Sequence, residues 1–347
     1  MICAIDYGSC WIRSAFRSPE PPPRLVMYAE KSEYAMLPAS DVHRRSLTEQ
    51  SIPYAECDGS MAVVGNHAAK AQWLSRVPCT SLLADGVVPT SDPPARQMLS
   101  LLTDAMLPLP MVKGAPCAVA VNAVPTKSED HSAEFLCRLV RMRGYEPLLV
   151  NPAEAALLAS GRDAAFTGIS IVCGAQSTSL SVSRLGVQLA AETLKIGSNW
   201  VDTEIAKQFQ IQSWDDDGTC YLDLESVRRW KAESGVHLRN PLAERERVLV
   251  RLSTVLLDRV TRSIVQLLAS PAVRTVLQQQ RLALVLSGGG VLLDGFSSVL
   301  TERLVEHGIA ERVLYVRVAQ DAATAVVRGA LIMAELEARR ASMADAA

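Results

Sequence analysis

The sequence lacks the signatures of several common protein classes. Its 35 Lys and Arg residues are offset by 37 Asp and Glu residues, for a formal net charge of -2. It therefore has no basic excess of the kind that nucleic-acid-binding proteins use against phosphates. No apolar run approaches the roughly 20 residues that span a bilayer, and no basic segment followed by an apolar stretch marks a secretory signal at Met1. We expect a cytoplasmic protein with no nucleic-acid partner and no direct membrane insertion.

Clusters of metal-binding residues are also missing. The eight cysteines contain no CxxC pair, and the five histidines form no ligand pattern, which argues against a zinc site or a thioredoxin-like motif. Several cysteines lie in apolar runs, as is typical of reduced core residues. The acidic turn at residues 215–218 lacks the spaced ligands of a calcium loop and is interpreted as a solvated loop. The remaining composition, 49% hydrophobic over 347 residues, suffices for two core-bearing lobes.

The most informative stretch is RLALVLSGGGVLLDGF, residues 281–296. Its apolar run predicts a buried strand, its three glycines a turn without side chains, and the periodic apolar residues that follow predict a helix. Such a turn lets the backbone approach a flat or anionic ligand closely. The alternative is a tight turn needed only for packing.

Two stretches share one pattern. Residues 1–17 and 169–183 both indicate a strand, a Gly/Ser turn and a returning strand. In the first, Asp6 ends the strand, where a carboxylate can hold a metal-bound water beside phosphates. Alternating strands and helices at residues 118–160 predict an α/β architecture. The recurrence indicates two related lobes with a ligand cleft between them, with chance similarity as the competing interpretation.

In this order, the segments resemble those of the actin-like ATPase superfamily, which includes actin, the bacterial rod-shape protein MreB and the nucleotide-binding domain of 70-kDa heat-shock chaperones. The resemblance covers nearly the whole chain. The segments that carry it are IDYGSCWIRSAF (5–16, first phosphate loop), residues 52–70 and 85–102 (the MreB stretch between the loops), VNPAEAALLASG (150–161, first connecting helix), IVCGAQSTSLSV (171–182, second phosphate loop), TLKIGSNWVDTEI (193–205, strand-to-helix turn), WKAESG (230–235, ribose and adenine), LVLSGGGVLLDGF (284–296, adenosine motif) and DAATAVVRGAL (321–331, second connecting helix).

The resemblance implies a two-lobed α/β fold, a duplicated ribonuclease H-like unit with a central nucleotide cleft. Lobe I would comprise residues 1–161, with an inserted outer subdomain at about 20–95. Lobe II would comprise residues 162–320, with a reduced outer subdomain at about 209–270. Residues 321–347 would form a C-terminal helix that returns to lobe I.

The resemblance also implies ATP or ADP as the ligand, with Mg2+ and with Asp6 facing the metal. An alternative for Lys231 and Glu233 is a surface charge pair. The nucleotide-binding residues that it implies are Asp6, Gly8, Ser9 and Cys10 in the first phosphate turn, Gly174, Ala175, Gln176 and Ser177 in the second, Gly197 and Ser198 at the next turn, Lys231 and Glu233 beside the ribose and adenine, and Gly288, Gly289 and Gly290 at the nucleoside.

Two departures from the family bear on catalysis. Val172 stands where the second phosphate loop of the family begins with an Asp that helps to hold the metal. The catalytic Glu or Gln is matched by Asn151 or Pro152, depending on a one-residue gap, with Glu154 nearby as a substitute. Because phosphoryl transfer needs a charge-neutralising metal and a positioned water, we expect nucleotide binding with weak or absent hydrolysis.

Three functions are compatible with these features. The first is a nucleotide-binding actin-like protein that forms filaments with copies of itself or acts as a nucleotide-gated switch. The second is a non-catalytic pseudo-ATPase scaffold or adaptor for cell-envelope or division machinery. The third, a small-molecule kinase, needs an Asp base near the phosphates and a sugar-contacting pattern, neither of which we find.

Overall fold

The computed structural model describes residues 1–75, 77–122, 127–214 and 218–344. In chain order, the strands are β1 (Cys3–Tyr7), β2 (Trp11–Arg17), β3 (Leu25–Lys31), β4 (Glu33–Pro38), β5 (Ala55–Cys57), β6 (Ser60–Val64), β7 (Thr80–Ser81), β8 (Pro116–Ala120), β9 (Glu146–Val150), β10 (Gly168–Cys173), β11 (Thr178–Arg184), β12 (Val187–Leu194), β13 (Gln212–Trp214), β14 (Cys220–Leu222), β15 (Leu282–Ser287) and β16 (Val313–Val318).

The α-helices are α1 (Asp41–Glu49), α2 (Ala68–Ser75), α3 (Pro93–Met106), α4 (Lys127–Met142), α5 (Pro152–Ser160), α6 (Ser198–Gln208), α7 (Leu224–Glu233), α8 (Glu244–Ala269), α9 (Pro271–Leu277), α10 (Phe296–Glu306) and α11 (Ala325–Ala344). In the described part of the chain, no helix is both long enough and apolar enough to cross a bilayer.

Two five-stranded sheets have the same topology. The first has the order β3-β2-β1-β8-β9 and the second the order β12-β11-β10-β15-β16. In each, three consecutive strands form an antiparallel meander, and the first of them continues the sheet through two parallel strands. The strand–turn–strand pattern that the sequence shows twice begins both sheets. The expected two-lobed, actin-like α/β fold is therefore confirmed.

Two helices connect the sheets. Helix α5 follows β9 of the first sheet and packs against β10 and β11 of the second, whereas α11 follows β16 of the second sheet and packs against β1 and β8 of the first. The helices also pack against each other through small residues. A Cβ at Gly329 would overlap the carbonyl oxygen of Ala155, so the two backbones are in direct contact. Glycine is therefore required at position 329 for α5 and α11 to pack this closely.

Residues 24–60 are weakly patterned, and the sequence alone does not predict their elements. Residues 24–60 form β3, β4, α1, β5 and part of β6, and the four-stranded sheet β5-β6-β4-β7 contains much of this region. Strand β3 is an edge strand with mostly exposed residues, so it lacks the alternation that marks a half-buried strand. Helix α9 starts at Pro271 after an extended Ser270. The acidic turn at residues 215–217 lies outside the described residues.

Candidate functional site

A cleft of about 690 Å³ lies between the two sheets. Its walls include the residues that follow β1 and β8 of the first sheet and β10 and β15 of the second. These are the carboxyl ends of mutually parallel strands, where the chain leaves a sheet and turns expose backbone groups. Such edges are where α/β proteins usually bind ligands. The fold thus brings four separate turns to one cavity.

Most of the residues expected to bind nucleotide line this cleft. They are Asp6, Gly8, Ser9, Cys10, Gly174, Ala175, Gln176, Ser177, Ser198, Lys231, Gly288, Gly289 and Gly290.

Three expected residues lie elsewhere. Gly197 lies behind the second turn, where a Cβ would overlap backbone atoms of Ala175. Glu233 is exposed on the last turn of α7 and does not line the cleft. Burial raises the pKa of Glu154, and the backbone of Gln188 in β12 opposes this rise. Glu154 does not line the cleft.

A carboxylate and a guanidinium lie opposite each other on the two strands that flank the first turn. In the antiparallel pair of β1 and β2, Asp6 stands directly opposite Arg13, and both line the cleft. Burial raises the pKa of Asp6 to about 6, and the positive charge of Arg13 opposes this rise. Arg13 was not among the expected site residues. Its position seven residues after Asp6 is informative only once the hairpin register is known.

The second turn is held by the start of α6. The N–H of Gly174 donates to the carbonyl of Ser177 (2.9 Å), while the N–H groups of Ser198 and Asn199 donate to the carbonyls of Gly174 (3.0 Å) and Ala175 (2.8 Å). Two of the free donors of the helix start are therefore satisfied within the protein. Val172, at the end of β10, is only 9% exposed and lines the cleft just before this turn.

One side chain ties the two lobes together across the cleft. Asn122 follows β8 of the first sheet, and its Nδ2 donates to Ser177 Oγ at 2.6 Å. Its Oδ1 accepts a short hydrogen bond from the hydroxyl of Ser179 in β11. A second link between the lobes joins Lys31 of β3 to Glu225 of α7 at 3.5 Å. Asn122 was not among the expected site residues, although it is a polar residue at the end of a buried strand, as Asp6 is.

A buried ion pair between α6 and α7 also lines the cleft. Asp202 in α6 is 1% exposed, and its carboxylate lies 2.5 Å from Lys231 Nζ and 3.7 Å from Arg228 Nε. Burial raises the pKa of Asp202, and the Lys231 charge opposes this rise. Arg228 and Lys231 are three residues apart on α7, so both reach one face of the helix. Asp202 and Arg228 line the cleft, although neither was among the expected nucleotide-binding residues.

The three glycines after β15 have different surroundings. Gly288 has φ +90, and a Cβ there would overlap the carbonyl oxygen of Cys173. A Cβ at Gly290 would lie 2.5 Å from Cys173 Sγ. A Cβ at Gly289, in contrast, would have no atom within 4 Å. Packing against the end of β10 therefore accounts for two glycines, while Gly289 leaves the cleft open.

Carboxylates for a metal are scarce in the cleft. Among the described residues, no group of three or more His, Cys, Asp or Glu side chains could hold a metal ion. At the two phosphate turns the lining contains one carboxylate, Asp6, because an aliphatic Val172 takes the second position. Mg2+ takes oxygen ligands, so one of the two carboxylates that the resemblance implies, Asp6, is present and the other is not.

The family model described as Volactin matches residues 1–334. Among solved structures, a double helical filament of MamK is 18% identical with a TM-score of 0.70, covering 96% of this chain and 98% of that one. MreB 5 of Spiroplasma citri bound to AMPPNP is 14% identical with a TM-score of 0.67, covering 99% and 98%. The ethanolamine utilization protein EutJ from Carboxydothermus hydrogenoformans is 14% identical with a TM-score of 0.55, covering 95% and 88%. No curated protein sequence matches. At these identities the structural likeness concerns the fold.

Proposed function

The chain belongs to the Volactin family, and from this premise we propose that it is an actin-like protein that binds ATP or ADP in its cleft and forms filaments under the control of that nucleotide. Hydrolysis is weak or absent. The observation that carries the proposal is the gathering of four turns, distant in sequence, around one cavity of about 690 Å³. This volume falls in the range of small-molecule sites.

The cleft lining has two parts that fit a nucleotide. The two phosphate turns with Arg13 offer backbone N–H groups and a positive charge. The turn after β15, with Gly289 and apolar side chains such as Leu292 and Leu293, suits a flat base. MreB 5, whose fold is similar, is bound to AMPPNP in its solved structure, and this supports an adenine nucleotide as the ligand.

The side chains near the phosphate turns support weak hydrolysis. Val172 offers no metal ligand. Asn151 caps α5, since its Oδ1 accepts the N–H groups of Ala153 (2.8 Å) and Glu154 (3.3 Å). Glu154 does not line the cleft. Among the described residues considered for positioning water, Asn151 is therefore used as a helix cap and Glu154 lies outside the cleft, which supports slow water activation.

Filament formation is the part of the proposal that rests on relatives, since MamK of the same fold forms a double helical filament. The division into lobe I (1–161), lobe II (162–320) and a returning helix (321–347) also belongs to this proposal, as does a cytoplasmic location. The second function is a pseudo-ATPase scaffold for cell-envelope or division machinery. Val172 and the capping role of Asn151 favour it because they weaken the case for turnover.

Calorimetric titration with ATP and with ADP tests the central claim, followed by phosphate-release and pelleting assays with and without nucleotide. We expect saturable binding of both nucleotides, slow phosphate release and nucleotide-dependent pelleting. Gly289→Val, which adds a side chain to the cleft lining, should weaken binding, whereas Glu233→Gln, outside the cleft, should not. Absence of binding at millimolar nucleotide by folded protein would leave the scaffold as the function.

A further inference from the structure

We propose that this chain binds its nucleotide without needing a divalent cation, and that the guanidinium of Arg13 supplies the positive charge at the phosphates. The inference rests on the proposed nucleotide binding and concerns the same cleft. It differs from the Mg2+-dependent binding that the family resemblance implies, because the residues at the phosphate turns do not fit a metal.

Among the residues that the structure describes, three carboxylates line the cleft, and two are unavailable to a metal at the phosphates. Asp202 is buried and bound by Lys231 at 2.5 Å. Asp294 follows the glycine turn at the nucleoside end and is exposed. Asp6 alone remains, and the position that would supply a second carboxylate carries the aliphatic Val172. Protein sites for Mg2+ use one or two carboxylates together with substrate phosphates, so this site offers the lower of these two numbers.

Arg13 further disfavours a metal at Asp6. The two residues are directly opposite in the β1–β2 pair, and opposed side chains lie on the same sheet face with Cβ atoms about 5 Å apart. The charge of Arg13 acts on Asp6, since it opposes the rise in the Asp6 pKa that burial causes, and it repels a dication placed beside that carboxylate. Arg13 and Mg2+ therefore compete for the same region of the cleft.

Arg13 is also free to bind phosphate. The other two cations of the cleft, Arg228 and Lys231, are held by Asp202. Within the described residues, Arg13 has no ion pair or side-chain hydrogen bond, and its guanidinium lies 5.7 Å from the centre of the Trp11 ring. A guanidinium can donate two parallel hydrogen bonds to phosphate oxygens. Its contact with the ring restrains it, which lowers the entropy lost when it binds.

The first test is a titration with ADP in Mg2+ and in EDTA. For the wild-type protein we expect dissociation constants within about threefold of each other, because the charge of Arg13 opposes a metal ion at the one available carboxylate, Asp6. Arg13→Gln should weaken binding in EDTA by roughly 10- to 100-fold, as expected for loss of hydrogen bonds from a charged donor. The matched control is Arg17→Gln on the same strand, whose partner is Glu335 outside the cleft, and it should leave binding unchanged.

The second test restores the missing carboxylate. Val172→Asp should make ADP binding depend on Mg2+, with EDTA weakening it by about tenfold or more, because two carboxylates then face the metal. Val172→Asn has the same shape without the charge and should not acquire this dependence. Thermal melting establishes that each variant is folded. If Val172→Asp does not fold, the comparison of ADP binding by the wild-type protein and by Arg13→Gln tests the inference on its own.

The outcomes separate this inference from the function on which it rests. ADP binding that is equal in Mg2+ and EDTA, and that is weakened by Arg13→Gln, supports the inference. Binding seen only with Mg2+ overturns the inference and leaves the nucleotide function intact. Unchanged binding by Arg13→Gln in EDTA also overturns it. Absence of ADP binding under both conditions overturns the proposed function and the inference together.

Discussion

Substitutions at two neighbouring glycines distinguish packing from ligand binding in the turn after β15. Gly288 has φ +90 and ψ 165, a region that is open essentially to glycine and costs other residues about 1–3 kcal/mol. A Cβ there would also overlap the backbone oxygen of Cys173, which adds about 1–3 kcal/mol of overpacking. Gly288→Ala should therefore lower the free energy of unfolding by about 2–6 kcal/mol.

At Gly289 the same change meets open space. Gly289→Ala should leave stability unchanged or raise it by about 0.4–1 kcal/mol, because alanine has fewer unfolded conformations. Gly289→Val should keep the fold but weaken ADP binding, since its side chain extends into the cleft. The assays are thermal melting and ADP titration of all three variants. Equal loss of melting temperature at both positions would refute the packing argument, and unaltered ADP binding by Gly289→Val would refute the placement of the nucleoside.

Three further predictions follow from single side chains of the cleft. Asn122→Ala removes the donor to the Ser177 hydroxyl, so we expect a loss of about 1–3 kcal/mol in stability and faster ADP release, measured by denaturant unfolding and stopped flow. Lys231→Met should destabilise by about 3–5 kcal/mol, because it leaves the buried Asp202 carboxylate without its closest cation; adding Asp202→Asn should restore part of this loss. Burial raises the pKa of Asp6 from 3.8 to about 6, so the folded state binds the extra proton, and stability should fall between about pH 4 and 6 as pH rises, by at most about 3 kcal/mol. Asp6→Asn should remove this slope in urea titrations.

Most of the fold was predictable because its signals are local. The glycine turn and the apolar run at residues 282–286 are neighbours in sequence, and so are the strands of each hairpin. Turn chemistry and strand periodicity act over a few residues, and the order of these units identifies the fold. Residues 24–60 were not assigned because β3 is an exposed edge strand, which sheet pairing stabilises rather than its own pattern.

The expected site residues belong to the turns that these local signals reveal, and most of them line the cleft. The missed residues are of another kind. Asn122 matters because it reaches Ser177, 55 positions away. Asp202 matters because Lys231 of α7 forms an ion pair with it. Nothing near either residue in sequence indicates such a partner.

Backbone preference and hydrophobic period are properties of adjacent residues, so the turns, the buried segments and their order can be predicted without the structure. The packed structure is needed to show which of the three glycines faces open space and which cleft cation has no ion pair among the described residues. These features depend on distances between atoms from separate elements. Such distances are set when the two sheets and their connecting helices pack, and contact energies of this kind fall off within a few ångströms.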